Sequence, residues 1–142
     1  MVRLTEEMRE ALSQAFSDRR FCVLATASRE GWPDVSYRGS VVVLDAEHLA
    51  FWERSRGTAL DNMTENPRVC IMYSNPEQRK FWRFYGQAEL IREGAERERI
   101  MRLIPQPELD RDPERRGVAV RVRLETVREG PAVIMRREES RP

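Results

Sequence analysis

One stretch of the chain carries residues that could grip an anion. Arg38 and Ser40 fall on the same side of an alternating run, and Arg56, Gly57 and Thr58 stand where a short helical pattern opens. A helix start presents backbone N–H groups without intrahelical partners, together with a partial positive charge. Gly57 lets a ligand come close to the backbone, Thr58 adds a hydroxyl, and Arg56 adds a planar charged fork. If the strand holding Arg38 neighbours the strand ending at Glu53, these groups converge, and a dianionic phosphate is the ligand this chemistry selects. The plainer reading is a solvated loop beside an ordinary capped helix.

A second candidate is the aromatic run Phe81, Trp82, Phe84 and Tyr85, with Arg83 inside it. Alternation sends these rings to both sides of a strand. That suits a core plus a subunit contact, and it also suits a wall for a flat ring. Catalytic side chains are scarce. The single histidine, His48, sits in a polar turn, so neither Ser–His–Asp nor Cys–His chemistry is available. There is no P-loop and no Gly-x-Gly-x-x-Gly. No carboxylate stands in an obviously apolar setting that would raise its pKa. Redox or transfer chemistry would therefore fall to a bound cofactor.

The bulk numbers narrow the partners. With 142 residues the chain reads as one domain, 1–142. Lys+Arg 25 against Asp+Glu 24 leaves a net charge of +1, so no global field favours nucleic acid or an anionic membrane. No apolar run approaches the about 18 residues needed to span a bilayer, and the N-terminus is charged and amphipathic rather than a signal peptide. Cys22 and Cys70 lie in apolar runs, as buried thiols of a reducing compartment do, and with His48 they are too few for a metal site. A cytoplasmic protein is expected. Lys80 is the only lysine, so nearly every cation is an arginine able to fork onto phosphate.

The elements that must position these residues follow from periodicity. Thr5 caps a helix whose face is Met8, Leu12, Ala15 and Phe16. Residues 21–27 form a strand, Gly31 a turn, and residues 35–44 one long strand entered past Pro33. A third strand covers 49–53. Thr58 opens a helix with capping-box spacing to Asp61, and Asn66-Pro67 ends it. Strands at 68–73 and 80–91 follow, with Gly86 marking a bulge or a close backbone approach. A charged helix spans 93–103, a proline-bearing surface loop 105–116, and a strand with one wet face starts at Val118. Residues 132–135 make a short edge strand, before an arginine-rich tail that frays. Strands joined by tight turns, with helices between, predict a mostly β antiparallel barrel.

Four motifs in order carry a family resemblance: Tyr37-Arg38-Gly39-Ser40; Phe51-Trp52-Glu53-Arg54-Ser55; Asn62-Met63-x-Glu65-Asn66-Pro67-Arg68-Val69; and Arg83-Phe84-Tyr85-Gly86-Gln87-Ala88-Glu89. Over residues 20–91 the chain resembles the pyridoxamine 5'-phosphate oxidase-like FMN-binding split-barrel proteins. The resemblance implies a six-stranded Greek-key split β-barrel with flanking helices, a homodimer, and FMN in a cleft between subunits. The cofactor set it implies is Arg38, Gly39, Ser40, Val41, Trp52, Glu53, Ser55, Arg56, Gly57 and Thr58, with Phe81, Trp82 and Arg83 reaching in from the partner. Arg38, Ser40, Arg56 and Thr58 would hold the phosphate; Trp52, Glu53 and the partner's strand would line the ring. The protein would be a flavin-dependent oxidoreductase acting on a small-molecule substrate or electron donor.

Departures from the family pattern qualify this. The usual basic pair at the helix start reads Thr58-Ala59, a strand lysine reads Val43, and a flavin-facing glutamine reads Phe81. The tail lacks the substrate signature of the true oxidase. Two alternatives follow: the same fold binding the deazaflavin F420, with Arg54, Arg79 and Arg83 forming a basic groove for its acidic tail, or a cofactor-free binding or regulatory module. Haem is a more distant reading, since no axial histidine is evident.

Overall fold

The computed structural model describes residues 1–138. Helix α1 (Glu6–Ala15) is capped by Thr5, whose hydroxyl accepts from the Met8 amide at 3.1 Å, and it buries Met8, Leu12 and Ala15. Strand β1 (Cys22–Ala27) turns through Gly31, at φ 92°, into β2 (Pro33–Arg38). Next come β3 (Val42–Asp45), β4 (His48–Glu53), α2 (Thr58–Glu65) and β5 (Arg68–Asn75). A 3-10 turn then leads to β6 (Lys80–Ile91), α3 (Ala95–Leu103), α4 (Gln106–Leu109), β7 (Val118–Glu129) and β8 (Ala132–Arg136).

The eight strands form one antiparallel sheet in the order β2-β1-β5-β6-β7-β4-β3, with β8 paired to β7. Two expectations are corrected here. The strand count is eight, not six. The supposed single strand 35–44 is two strands, and they lie at opposite ends of the sheet path. Residues 39–41 alone join them. Four Cα steps reach about 14 Å at most, so the two edges must stand close together. The sheet is therefore curled into a barrel whose seam is bridged by chain rather than by a ladder of hydrogen bonds.

The barrel interior is packed with Leu24, Leu49, Phe51, Ile71, Trp82, Phe84, Val120, Val122, Leu124 and Val127. Trp82 stacks on Tyr73 with ring centroids 5.4 Å apart. A second, smaller core lies outside the sheet, where Ala50, Trp52 and Ala119 meet Ile100, Ile104 and Leu109. Strand β4 is thus buried on both faces. Leu49, Phe51 and Glu53 look into the barrel; Ala50 and Trp52 look toward α3 and α4. Residues 105–116 are consequently not the surface loop expected from their prolines and charges: Leu109 and Asp112 are buried. The tail is also corrected in part. Arg137 is buried, donates to the Leu124 carbonyl at 3.0 Å and pairs with Glu47 at 2.6 Å. Residues 139–142, the rest of the segment expected to fray, lie outside the described residues.

Gly86 sits where the β6–β7 register shifts, as the sequence suggested. A Cβ there would collide with the Arg123 carbonyl oxygen and stand 2.9 Å from the carbonyl carbon. Backbone cannot swing aside as a side chain can. Gly86→Ala is expected to cost about 1–3 kcal/mol by overpacking, read as a lower urea midpoint at unchanged slope.

Candidate functional site

The seam of the barrel holds a hollow of about 320 Å³. The end of β2 supplies Tyr37 and Arg38, the bridging residues supply Gly39 and Ser40, and the end of β4 supplies Trp52 and Glu53. Arg54 and Ser55 close it from the loop after β4, and Glu108 from α4.

At its centre Arg38 donates from Nη2 to Glu53 Oε2 at 2.8 Å. Its Nη1 donates to Ser36 Oγ at 2.9 Å and to the Tyr37 carbonyl at 2.7 Å. Its Nε is buried and has no partner among the described residues. The guanidinium carbon lies 5.8 Å from the centre of the Phe51 ring. The two side chains are 14% and 3% exposed, so this ion pair is shielded from water and from salt. Burial pushes the Glu53 carboxyl above its ordinary value, and the charges of Arg38 and Arg54 only partly oppose that. The sequence reading found no carboxylate in such a setting; Glu53 corrects it.

Trp52 is fixed from behind. Its indole N–H donates to Asp112 Oδ2 at 2.8 Å, and the Arg97 guanidinium lies 4.8 Å from its ring centre. Asp112 also accepts from the amides of Gly117 at 2.8 Å and Arg116 at 3.0 Å. Burial alone would raise the Asp112 carboxyl. The hydrogen bonds from Trp52, Arg116 and Gly117 outweigh it and hold the group below its ordinary value. Ser40 donates to Glu108 Oε1 at 3.4 Å, and a Cβ on Gly39 would run into that same oxygen.

The structure therefore brings together Arg38, Gly39, Ser40, Trp52, Glu53 and Ser55 from the expected set. It does not bring the rest to this hollow. Val41 is in the barrel core at 1% exposure. Arg56, Gly57 and Thr58 are exposed and outside the lining, and Arg56 donates at 3.5 Å to the Arg116 carbonyl. Helix α2 has Gly57 at its N-cap with no side-chain cap, so the expected capping box is absent. Trp82 faces its own barrel interior at 0% exposure, while Phe81 and Arg83 present outward. Arg83 is engaged by Tyr85 Oη at 3.1 Å and the Gly130 carbonyl at 2.9 Å. Of the suggested basic groove, Arg54 lines this hollow and Arg79 and Arg83 do not. His48 is bonded to Asp45 at 2.8 Å and does not line this hollow. Sequence reasoning missed Glu108, Asp112 and Arg97, which come from a segment far away in the chain. The one available signal was Leu109, an apolar residue inside a charged run.

The charges of the hollow cancel. Arg38 and Arg54 face Glu53 and Glu108. Such a lining suits a neutral ring with hydrogen-bonding edges better than a dianion, and Arg38 is already engaged by Glu53.

A family model described as pyridoxamine 5'-phosphate oxidase matches residues 4–129. An uncharacterized protein of Methanocaldococcus jannaschii is 32% identical over 96 residues, which are 66% of this chain and 60% of that protein. The chain thus aligns with about three fifths of the curated relative's length. A putative pyridoxamine 5'-phosphate oxidase from Lactobacillus delbrueckii superposes with a TM-score of 0.68 at 23% identity, over 90% of this chain and 95% of that one. An F420 reductase superposes at 0.63 and 18%, over 88% and 98%. HutZ, the heme storage protein from Vibrio cholerae, superposes at 0.60 and 22%, over 90% and 96%. At these identities the three structures establish a shared fold.

The central ion pair gives a direct test. Arg38→Ala leaves a buried carboxylate without its counter-charge and is expected to cost about 3–5 kcal/mol, much of which Arg38→Ala/Glu53→Gln restores. Because its pKa is raised on folding, Glu53 holds more protons folded than unfolded just above its ordinary 4.5. Stability therefore falls as pH rises from that value through the raised one, and Glu53→Gln removes this contribution. Urea denaturation across that range measures both effects; equal stability of the single and double variants would contradict the coupling.

Proposed function

The chain belongs to the pyridoxamine 5'-phosphate oxidase family, and we propose that it is a flavin-binding homodimer of oxidoreductase type, with FMN seated where the seam hollow of one copy meets a second copy. One observation carries this reading. The outer face of β2, β1, β5 and β6 is apolar and uncovered, and it runs up to the hollow. Across the sheet, Tyr37, Val23, Met72 and Arg83 form one row and Val35, Ala25, Cys70 and Tyr85 the next. Trp32, Val35 and Tyr37 are 76%, 67% and 73% exposed. Covering side chains of this kind contributes about 1.5–3 kcal/mol each, so a single copy leaves a large driving force unused. Tyr37 belongs both to this face and to the wall of the hollow. A second copy packed here would complete the site and bring Phe81 and Arg83 to an interface.

Arg38, Glu53, Ser40 and Ser55 offer donors and acceptors for the polar edge of a flavin ring, and Trp52 is held rigid by Asp112 and Arg97. When bound, FMN would supply hydride or electron transfer to a small-molecule substrate. The residues here would bind, orient and exclude water. Among the described residues no helix is long and apolar enough to cross a membrane, and no group of potential metal ligands occurs. Cys22, pushed up to about 12 by burial, and Cys70, also raised by burial, are free thiols. A reducing, cytoplasmic setting fits them.

F420 is the second reading, favoured by the likeness to an F420 reductase. Absorption spectra of the purified protein separate the two, because F420 absorbs at shorter wavelength than FMN. The dimer has its own test. Tyr37→Glu is expected to yield a monomer by light scattering and, in the same step, to abolish quenching of FMN fluorescence on titration. A wild-type monomer, or a monomeric variant with unchanged FMN affinity, would refute the shared cleft.

A further inference from the structure

A hollow of about 210 Å³ lies between α1 and the β5–β6 connection, and it shares no lining residue with the seam hollow. Helix α1 provides one wall. Glu7, Glu10, Ala11 and Gln14 recur at helical spacing beside the buried Met8, Leu12 and Ala15. Asp18 continues the stripe, because its amide still donates to the Gln14 carbonyl at 2.9 Å. Opposite stand Tyr73 and Asn75 from β5, Gln78 from the turn and Lys80 from β6. Three carboxylates therefore line the hollow against one ammonium, and that ammonium is held by Glu7 at 2.6 Å. Among the described residues, the carboxylates of Glu10 and Asp18 make no hydrogen bond or ion pair. The charge of Asp18 is felt by Arg20, which is itself paired with Glu77 at 2.5 Å.

Acids on an exposed helix face are commonplace, and a second observation sets these apart. Tyr73 is 3% exposed and stacked on Trp82, yet its hydroxyl has no hydrogen-bond partner among the described residues. Its oxygen is not sealed from solvent, so it opens into the hollow that Tyr73 lines. A hydroxyl on so buried a side chain ordinarily finds a partner, and here that partner must come from what fills the hollow.

We propose that this hollow binds an aliphatic polyammonium chain, with Glu10 and Asp18 taking ammonium groups and the Tyr73 hydroxyl accepting a hydrogen bond from the chain between them. Eight residues of helical rise put Glu10 and Asp18 roughly 12 Å apart along the axis. A point cation cannot serve acids so spaced, and no group of carboxylates among the described residues is placed to hold a metal ion. A chain with ammonium groups several methylenes apart can reach both. Ala11, small and half-buried, gives the methylenes an apolar track. The hollow already seats one alkylammonium, the Lys80 side chain on Glu7. The site uses no residue of the seam hollow and does not rest on the flavin reading.

The probe is spermidine, titrated into the full chain by calorimetry at low ionic strength. Butylamine controls for a single ammonium, and magnesium ion for charge without spacing. Spermidine is expected to bind about tenfold or more tighter than either, and more weakly as salt rises. Glu10 and Asp18 are exposed and make no ion pair, so Glu10→Gln/Asp18→Asn keeps the fold, which circular dichroism checks. That variant is expected to lose at least about fivefold in spermidine affinity. Tyr73→Phe is the sharper test. The hydroxyl has no partner to lose within the protein, so the urea midpoint is expected to stay in place while spermidine binding weakens about threefold or more. Magnesium binding as tightly as spermidine would mark a diffuse negative field and overturn the proposal. Unchanged affinity in either variant overturns it too, and so does a lowered midpoint for Tyr73→Phe, which would give the hydroxyl a structural role instead.

Discussion

The structure depends on how its barrel is closed. A sheet whose two end strands are consecutive in sequence must curl until those ends nearly touch, yet β2 and β3 form no ladder with each other. Three residues, 39–41, carry the chain across the gap. The Arg38–Glu53 pair spans it as well, from the end of β2 to the end of β4. A buried ion pair adds little net stability compared with apolar packing, because both charges must leave water. Its value is geometric. With one partner at 3% exposure, any arrangement that separates the two is heavily penalised, so the pair fixes the relative position of two edges that hydrogen bonding leaves free. The hollow exists because the seam is held open at that width.

The second constraint is the double burial of β4. Inward, Phe51 and Glu53 meet the barrel and Arg38. Outward, Trp52 is clamped by Asp112 and Arg97. Asp112 receives three N–H donors, from an indole and two amides, and this fixes the segment between α4 and β7 against the strand. That anchoring puts Glu108 over Gly39. One strand therefore couples the ion pair at the seam to the helical layer outside, and the walls of the hollow are set by packing on both sides of it.

Features that rest on neighbouring residues were legible in the sequence. Thr5 as a cap, the turn at Gly31, the stop at Asn66-Pro67, the full extent of β6 and the irregularity at Gly86 all follow from local conformational preference. The family motifs gave the barrel and six of the residues lining the hollow. What stayed hidden depends on distance along the chain. The run 35–44 alternates before Gly39 and is mostly valine after it, and both patterns suit a strand, so nothing local reveals that its halves belong to opposite edges. Glu53 follows an apolar stretch that reads as an ordinary strand end, and its burial comes from residues on other elements. Glu108 and Asp112 sit among prolines and charges, and only the tertiary fold carries them to a strand more than fifty residues upstream. The Arg38–Glu53 pairing was hidden for a related reason: the fold sets Arg38 beside Glu53 in space, and a carboxylate offsets the charge that a sequence pattern counts as available.

The near-absence of lysine takes on a structural meaning at this point. Several arginines act as braces onto backbone carbonyls, and Arg99 and Arg137 pair with acids as well. Arg97 donates to the Arg115 and Gly117 carbonyls, Arg115 to those of Leu109 and Asp112, Arg99 to that of Leu44, and Arg137 to that of Leu124. A planar fork can bridge two carbonyls while its charge stays delocalised and only weakly hydrated; an ammonium pays a larger desolvation cost in the same place. The segment from α4 to β7 is built from such braces, which is how a stretch with little apolar content can still be ordered against the barrel. Where a guanidinium finds carbonyls or a carboxylate it stiffens the wall, and at the seam the charges of Arg38 and Arg54 both act on Glu53.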